Sequence, residues 1–307
     1  MKNLVEIVIE NESQVVTHSG VFHADDVLAT VILVKLFQQR NQNEEPLKIC
    51  REFKVSADLS EDVIIYDIGG GKFDHHQRGG NGARENGVPY SSAGLIWREF
   101  GKELLKDVPD MVWEIVDRDI IQAVDAMDNG TMPRPDYPCQ GFSISQAISG
   151  FNPTWDSKEN FDLCFMKAVA FMEQVFDNAV ATAAAKAKAE SLVNGALRNS
   201  KGHVLVLDRY MPWQEPLLTS ENEAAKDILF VVYPAVRGGY NWQCVPDGLG
   251  SFGQRKPVPQ EWKGVPAEEL QKLTGVEGFT FCHPAGFLGA CKTQEEAIRV
   301  ATLAAEA

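Results

Sequence analysis

Histidine and aspartate residues occur together in four separate stretches of this chain. The stretches read THSGVFHADD, YDIGG, FDHHQRG and VDAMDNG, and they contain four of the six histidines. An imidazole held beside carboxylates needs a proton, solvent or a cation to offset the cost of bringing these groups together. Imidazole and carboxylate ligands without thiolate suit Mn, Zn, Fe or Co. The four stretches therefore predict a metal site.

Each stretch alone also has an ordinary structural explanation. A histidine in a strand-to-helix turn is often structural, an aspartate after a strand often starts a turn, and the DHH triplet could lie in a solvated loop. Asp128-Asn129-Gly130 could simply end a helix. Four such stretches, each at an expected element end, favour the metal site over separate coincidences. The candidate residues are His18, His23, Asp25, Asp67, Asp74, His75, His76, Asp125 and Asp128.

Asp67 follows an apolar run and is the natural carboxylate to bridge two metals at the centre of the predicted sheet. Two cations roughly 3.5–4 Å apart would bind one water between them, lower its pKa and direct it at phosphorus. One histidine of the His75-His76 pair would bind metal while its neighbour faces the substrate. Asp74 would orient one of these rings. The spacing of the fourth stretch leaves open whether its first or second aspartate is the ligand.

Alternating strands and helices must position these residues. The predicted strands are VVTHSG, LKICREF and DVIIYDIGG, and the predicted helices are ADDVLATVILVKLFQ, SSAGLIWREFGKELL with a serine cap, and MVWEIVDRDIIQAVDAMDNG. This alternation is typical of an α/β fold with a mostly parallel sheet and helices on both faces. Open α/β sheets build their sites at the carboxyl ends of the strands, where Asp67 is expected.

The second half of the chain predicts a different unit. An Ala-rich segment from Phe161 to Leu197 indicates a long connecting helix, and a smaller α+β domain follows it. The expected organisation is a catalytic metal-binding domain over residues 1–158, a connecting helix over 159–198 and a C-terminal substrate-binding domain over 199–307.

Composition restricts the classes of function. The formal net charge of −14 disfavours a partner held by electrostatics alone, because nucleic-acid binders usually carry a basic surface. A phosphate-bearing substrate remains compatible if bound cations supply positive charge. The six cysteines show no CxxC pair, so we expect reduced, buried thiols. With no signal or transit pattern and no apolar run of roughly 20 residues, we expect no membrane association and a cytoplasmic protein.

Taken together, these stretches resemble the DHH phosphoesterase superfamily of RecJ-like proteins. They resemble more closely one branch of it, the melanocyte-proliferating-gene-type exonucleases. The resemblance extends from about Val16 to Ala290. The segments that carry it are THSGVFHADD, YDIGG, FDHHQRG, SSAG, VDAMDNG, RKPVPQEWKG and FCHPAGFLGA.

The resemblance implies a DHH-type domain, a smaller substrate-binding domain and two divalent metal ions, usually Mn²⁺, with Zn²⁺, Co²⁺ or Mg²⁺ as alternatives. In the implied ligand set His18 and His23 hold one metal, and Asp67 bridges. Asp25, His75 and Asp125 hold the other metal, with Asp125 preferred to Asp128. His76 would contact the scissile phosphate, with Asp67 and Asp74 also in catalytic roles. His23 stands where the superfamily usually has an aspartate, and Asp26 replaces an expected glutamate without being an expected ligand.

Further polar residues predict a substrate-binding surface, because arginine forks and close glycine backbones suit phosphate oxygens. Arg255-Lys256 could equally be an exposed loop pair, and His283 a hydrogen-bonded core residue. The free N–H groups of the helix opened by Ser91-Ser92 could hold an anion. Trp262 is the tryptophan we select as a candidate for stacking on a base. The candidate substrate-binding residues are Arg78, Arg237, Arg255, Lys256, His283 and Gly286.

Three functions fit these observations. The leading one is a metal-dependent phosphodiesterase, acting as a 3′–5′ exonuclease-like hydrolase on single-stranded RNA or short oligonucleotides. The alternatives are a hydrolase of small phosphates such as pyrophosphate or dinucleotides, and a metal-binding scaffold without catalysis. Every candidate ligand position carries a competent side chain, so the scaffold is the least favoured. The sequence determines neither the direction of degradation nor the oligomeric state, for which a homodimer is one option.

Overall fold

The computed structural model describes residues 3–133, 141–200 and 202–307. The chain forms two compact units, Met1–Ala184 and Ala185–Ala307. Their division falls within one long helix, α6, which spans Phe161–Asn199. The long helix predicted from the Ala-rich segment is therefore present.

The first unit contains a four-stranded parallel sheet. Its strands are β1 (Val5–Ile7), β2 (Val15–His18), β3 (Leu47–Glu52) and β4 (Ile64–Ile65). The strand order is β1-β3-β2-β4, with every pairing parallel. The carboxyl ends of all four strands therefore meet at one edge of the sheet. The prediction that Asp67 follows a central strand was wrong, because β4 lies at the side of the sheet.

Helices complete this α/β unit, as predicted. They are α1 (Ala24–Asn41), α2 (Ser92–Leu104), α3 (Asp110–Val116), α4 (Gln122–Asp128) and α5 (Ile144–Ser149). A short 3₁₀ helix covers Glu10–Glu12, and a π-helical turn over Asp117–Ile121 joins α3 to α4. Helix α1 is buried along most of its length because apolar residues occupy several of its faces, as in a helix packed on more than one side.

The second unit is α+β, as predicted. Its sheet has the order β5-β6-β7-β9-β8, with β5 parallel to β6 and the other pairings antiparallel. The segment FCHPAGFLGA, which was not predicted as strands, contributes β8 and β9. The strands are β5 (Val204–Val206), β6 (Phe230–Pro234), β7 (Tyr240–Cys244), β8 (Phe279–Cys282) and β9 (Leu288–Cys291).

Four helices and one 3₁₀ turn of the described residues surround this sheet. Buried side chains of α10 and α9 pack with the sheet around Trp242 and Phe279 in one core. A second core joins α6 to the opposite side of β6 through Val193 and Val231. The elements are α7 (Gln214–Leu218), α8 (Ala224–Asp227), the 3₁₀ turn Gln260–Trp262, α9 (Ala267–Thr274) and α10 (Gln294–Glu306).

Two sequence expectations concern the chain as a whole. The cysteines that the structure describes, Cys50, Cys164, Cys244, Cys282 and Cys291, are free and buried, as expected. Within residues 3–133, 141–200 and 202–307, no helix combines the length and apolar character that a membrane crossing needs.

Candidate metal centre

Two neighbouring strands deliver the first residues of the site. His18 is the last residue of β2, and Asp67 lies two residues beyond β4. The backbone of Asp67 is left-handed, with φ of +56°. Aspartate tolerates this conformation better than most residues, and such conformations concentrate at functional sites. The turn aims the Asp67 carboxylate along the edge where the strands end.

The two carboxylate oxygens of Asp67 face different histidines. Oδ2 lies 3.2 Å from Nε2 of His18. Oδ1 lies 3.3 Å from Nδ1 of His75 and 3.4 Å from Nδ1 of His76. A carboxylate whose oxygens point at separate nitrogen ligands has the arrangement of a bridging ligand.

The first turn of α1 adds two fully buried aspartates. Asp26 Oδ2 lies 3.2 Å from Nε2 of His18, and its Oδ1 accepts a hydrogen bond from the His23 backbone N–H at 2.9 Å. Asp25 Oδ2 lies 3.9 Å from Nδ1 of His75 and accepts a hydrogen bond from the Ser92 hydroxyl at 2.9 Å. Adjacent positions on one helical turn thus direct two carboxylates at two different histidines.

Three groups of potential ligand atoms result among the described residues, each with its atoms within 4.8 Å of one another. Asp67 belongs to two of them, which agrees with a bridging position. The groups are Asp67, Asp74, His75 and His76; His18, Asp26 and Asp67; and His23, Asp25 and Asp128.

Several buried atoms of this cluster lack a hydrogen-bond partner within the described residues. They are Asp25 Oδ1, Asp26 Oδ2, both carboxylate oxygens of Asp67, and His75 Nδ1. Buried polar atoms are normally hydrogen-bonded, because leaving one unsatisfied costs about 1–3 kcal/mol. Unsatisfied oxygens converging on imidazole nitrogens are the donor set that a divalent cation requires, so these residues fit a metal centre.

The ionisation of the cluster reflects crowded charge. Burial, reinforced by the negative charges of Asp67 and Asp128, raises the pKa of Asp25 well above its ordinary value. Burial lowers the pKa of His18, but Asp26 and Asp67 outweigh it and raise the pKa to about 10. For His75, burial is likewise outweighed by Asp128 and Asp67, and the pKa rises to about 10. The carboxylates therefore need compensating positive charge, which imidazolium or a bound cation can supply.

The structure separates the two aspartates of the fourth stretch. Asp128 Oδ2 lies 2.8 Å from Nε2 of His75. Asp125 is not in the cluster. Its Oδ2 accepts a hydrogen bond from Arg84 at 2.7 Å, and its Oδ1 accepts the backbone N–H of Ser91 at 3.1 Å and of Gly94 at 3.0 Å. The geometry therefore places Asp128, and not the predicted Asp125, beside the other candidate ligands.

The N-terminus of α2 is occupied by the chain's own carboxylates. Ser91 and Ser92 make no side-chain capping bond for α2; their hydroxyls bond to Asp125 and Asp25 instead. The predicted serine cap is therefore absent. The predicted anion site at this helix start holds Asp125 and Asp25, whose negative charge suits a helix N-terminus.

His76 differs from its neighbour in exposure. His75 is buried, whereas the His76 side chain is 57 % exposed. Asp74 Oδ1 lies 3.1 Å from His76 Nδ1 and accepts the His76 backbone N–H at 2.9 Å, while Asp74 Oδ2 accepts the N–H of Gly70 at 2.6 Å. Asp74 thus fixes the loop and orients the ring, which leaves Nε2 as the ring nitrogen able to reach a ligand.

The turn between β2 and α1 is anchored from two directions. Arg51 is buried, donates to the carbonyl of Gly20 at 3.0 Å and pairs with Asp162 at 2.8 Å. Asn152 accepts the Phe22 N–H at 3.1 Å and donates to the Phe22 carbonyl at 2.9 Å. Gly20 itself has φ of +82°, a conformation that favours glycine. These contacts hold the segment that carries His18 and His23.

The predicted substrate-binding residues are more dispersed. Arg78 is exposed beside the DHH segment, and Arg237 is exposed in the β6–β7 turn. Arg255 Nη1 donates to the carbonyls of Ala225 at 2.6 Å and Ile228 at 3.0 Å, so its guanidinium binds the end of α8. Lys256 beside it is half-buried.

His283 and Gly286 lie in the turn between β8 and β9. Nδ1 of His283 accepts the Ala285 N–H at 3.0 Å, and its ring packs 4.5 Å from that of Phe287. Gly286 is buried with φ of +75°. Trp262 is only 5 % exposed and packs on Phe279 in the core, so it is not accessible for stacking on a base.

Sequence reasoning missed Asp26 as a member of the cluster, together with Arg84 and Arg51. Asp26 directly follows Asp25, and the resemblance did not imply it as a ligand. Arg84 bonds to both Asp117 and Asp125, so it links the π-helical turn to α4. No local pattern in the sequence marks either arginine as a partner of these distant carboxylates.

Comparisons with known proteins found a family model and relatives that match most of this chain. The model of the family MYG1_exonuc, described as Uncharacterised protein family (UPF0160), matches residues 14–305. A MYG1 protein of Saccharomyces cerevisiae is 32 % identical over 94 % of this chain and 95 % of its own length. A MYG1 protein of Dictyostelium discoideum is 32 % identical over 93 % of this chain and 94 % of its own.

Two further comparisons name an activity or a metal. A MYG1 exonuclease of Homo sapiens is 30 % identical over 93 % of this chain and 84 % of its own length. A crystal structure of RecJ in complex with Mn²⁺ from Thermus thermophilus aligns with 95 % of this chain and 52 % of that chain, at 13 % identity. Its TM-score of 0.23 is too low to support a conclusion.

Proposed function

The chain belongs to the MYG1_exonuc family, and on that premise we propose that it is a metal-dependent phosphodiesterase that removes nucleotides from an end of single-stranded RNA or short oligonucleotides. The resemblance inferred from the sequence segments is thereby confirmed at the level of the family. Several relatives carry the name exonuclease, and this name supports a nucleic-acid substrate.

One observation carries the proposal. The two oxygens of Asp67 point at His18 on one side and at His75 on the other, and both oxygens lack hydrogen-bond partners within the described residues. A buried carboxylate in this state is costly unless cations compensate it. A pair of cations sharing Asp67 would remove that cost.

The donor groups suggest how two cations would be held. We propose His18, Asp26 and Asp67 as ligands of one ion. Asp25, Asp128 and His75 would hold the other, with His23 beside them and Asp67 shared. Oxygen and nitrogen donors without thiolate suit Mn²⁺ and leave Zn²⁺, Co²⁺ and Mg²⁺ as alternatives. When bound, such ions lower the pKa of a water and offset negative charge at phosphorus.

The remaining residues act on the substrate and on the ligands. His76, held at Nδ1 by Asp74, would present Nε2 to an oxygen of the scissile phosphate. The Ser92 hydroxyl holds the Asp25 carboxylate in place. Arg78, exposed beside this loop, would contact the neighbouring phosphate, and its charge would help hold a polyanion on a protein with net charge −14.

The test is an assay of metal-free protein supplied with Mn²⁺ and three substrates: 5′-labelled single-stranded RNA, a dinucleotide and pyrophosphate. The proposal predicts a ladder of progressively shorter labelled RNA, as expected for removal from the 3′ end. Immediate release of labelled mononucleotide would instead indicate the opposite direction. The Asp67→Asn variant, prepared in parallel, controls for a contaminating nuclease.

The other outcomes identify the alternatives. Turnover of pyrophosphate or the dinucleotide without shortening of RNA would replace the exonuclease with a hydrolase of small phosphates. No turnover of any substrate, with about two metal ions bound per chain, would favour a scaffold, because a two-metal site holds that number.

A further inference from the structure

A large aromatic side chain is exposed next to the candidate metal centre. Phe53 is 82 % exposed, although a buried position is usual for phenylalanine. It directly follows Glu52, the last residue of β3, which pairs with His18 in the parallel register. Phe53 therefore lies one residue beyond Glu52, which pairs with the candidate ligand His18.

The residues before and after Phe53 contact the turns that carry the candidate ligands. The Ser19 N–H donates to the carbonyl of Glu52 at 2.9 Å. A methyl group added at Gly20 would lie 3.5 Å from the Phe53 ring, so the ring rests over the turn between His18 and His23. Farther along, Val55 packs against Gly69 in the loop that follows Asp67. The loop carrying Phe53 thus spans the two turns that deliver His18 and Asp67.

A depression of about 690 Å³ extends from Phe53 along the edge strand β4. This volume lies in the range of small-molecule sites. Its lining is largely apolar, carries charge from two lysines and one glutamate, and includes Phe73, the residue before Asp74 of the DHH segment. The lining includes Phe53, Lys54, Glu61, Ile68, Lys72 and Phe73.

We propose that Phe53 is a stacking platform for a base of single-stranded nucleic acid, at the nucleotide next to the scissile phosphate. This inference rests on the proposed function, because it names how that site holds its substrate. A flat, exposed ring binds any base through its face, and the depression beside it has room for a nucleotide. Lys54, which is exposed and lines the depression, supplies a cation for the adjoining phosphate.

The arrangement also explains how an acidic protein holds nucleic acid. Electrostatic attraction by the whole chain is unfavourable at a net charge of −14. Stacking is sequence-tolerant and does not depend on net charge, so an aromatic platform beside the metal centre provides affinity where a basic surface is lacking. Lys72, the second cation of the lining, pairs with Glu99 at 2.6 Å, which leaves Lys54 as the better phosphate contact.

The test compares two substrates, one short single-stranded RNA with all its bases and the same RNA with abasic residues at its last two positions. For wild type, abasic substitution should raise KM roughly 5- to 150-fold, the range that loss of one stacked base gives. Phe53→Ala should raise KM for the intact RNA by a similar factor while kcat changes little. For the abasic RNA, Phe53→Ala and wild type should behave alike.

Matched variants separate stacking from folding. Phe53→Trp and Phe53→Tyr should retain most of the affinity, whereas Phe53→Leu, apolar but not aromatic, should resemble the alanine variant. Leu273→Ala, which removes an exposed apolar side chain of α9 in the second unit, controls for a general effect of such truncation. Equal KM values for Phe53→Ala and wild type on intact RNA would overturn the stacking proposal. Failure of wild type to shorten RNA at all would overturn the proposed function instead.

Discussion

The candidate functional side chains of the two units differ in whether other residues of the chain satisfy them. In the first unit, Asp25, Asp26 and Asp67 are buried with oxygens that lack a hydrogen-bond partner within the described residues. In the second unit, the guanidinium of Arg255 is used to bind carbonyls at the end of α8, and Trp262 is packed in the core. Of these residues Asp25, Asp67, Arg255 and Trp262 were candidates from the sequence, whereas Asp26 was not.

The difference distinguishes function from folding. A side chain that completes its own hydrogen bonds stabilises the fold and has little left to offer a ligand. A group of buried side chains left incomplete costs stability, and that cost persists where binding or catalysis requires it. The candidate metal centre therefore lies in the first unit, and the predicted residues of the second unit divide between structural and exposed positions.

The largest effect is expected from Asp67→Asn. The variant should lose more than about 10³-fold in kcat, exceeding the loss from a single stabilising donor, because both cations of the proposed centre would share this carboxylate. Metal analysis should show at least one ion lost per chain. Circular dichroism checks that the fold is intact. An active variant with full metal content would show that Asp67 does not bridge two metals, and it would contradict the difference drawn between the two units.

His76→Ala should come next. Because His76 is exposed and its ring is oriented by Asp74, its removal should leave both metals in place and lower kcat by roughly 10²-fold or more, as for loss of a residue acting at the reacting group. Turnover and metal content are measured on the same sample. Loss of metal together with activity would make His76 a ligand.

The pair Asp128→Ala and Asp125→Ala sharpens the comparison within one helix. Asp128→Ala should weaken metal affinity by at least about 10-fold with little change in thermal stability. Asp125→Ala should lower the free energy of unfolding by about 3–5 kcal/mol, because it removes a fully buried acceptor of hydrogen bonds from Arg84 and from the backbone N–H groups of Ser91 and Gly94. Metal titration and thermal denaturation of both variants check this. The reverse pattern would restore Asp125 as the ligand.

The smallest effects are expected in the second unit. Arg255→Ala should cost about 1–3 kcal/mol of stability, since buried carbonyls lose their donor, with KM for RNA unchanged. Arg237→Ala, at an exposed turn, should leave stability unchanged and reduce the salt dependence of RNA binding by about one unit of slope. Thermal denaturation tests the stability of both variants, and RNA binding measured at several salt concentrations tests their effect on affinity. A larger decrease in RNA affinity for Arg255→Ala than for Arg237→Ala would give Arg255 a direct role in binding RNA.

The convergence of distant segments could be predicted from the sequence. Parallel strands place their carboxyl ends at one edge, so His18 and Asp67 were expected to be close once both were assigned to strand ends. The position of β4 at the side of the sheet could not be predicted, because strand order depends on tertiary packing. The position of Asp125 outside the cluster could not be predicted either, because it depends on Arg84, a partner 41 residues distant in the chain.

Burial and exposure explain the other differences. Asp26 joins the cluster because the first turn of α1 is buried and its carboxylate lies 3.2 Å from Nε2 of His18. Trp262 was the stacking candidate from the sequence, but it lies in the core. Phe53, which follows β3 and was not a candidate, is exposed. A sequence specifies aromatic residues but not which of them remain accessible.

The most direct test of the metal centre is anomalous scattering from crystals of the protein grown with Mn²⁺. The geometry predicts two strong peaks beside Asp67, one toward His18 and Asp26 and the other toward His75 and Asp128. No peak at this cluster in excess manganese, or a single peak away from the Asp67 carboxylate, would contradict a dinuclear centre here.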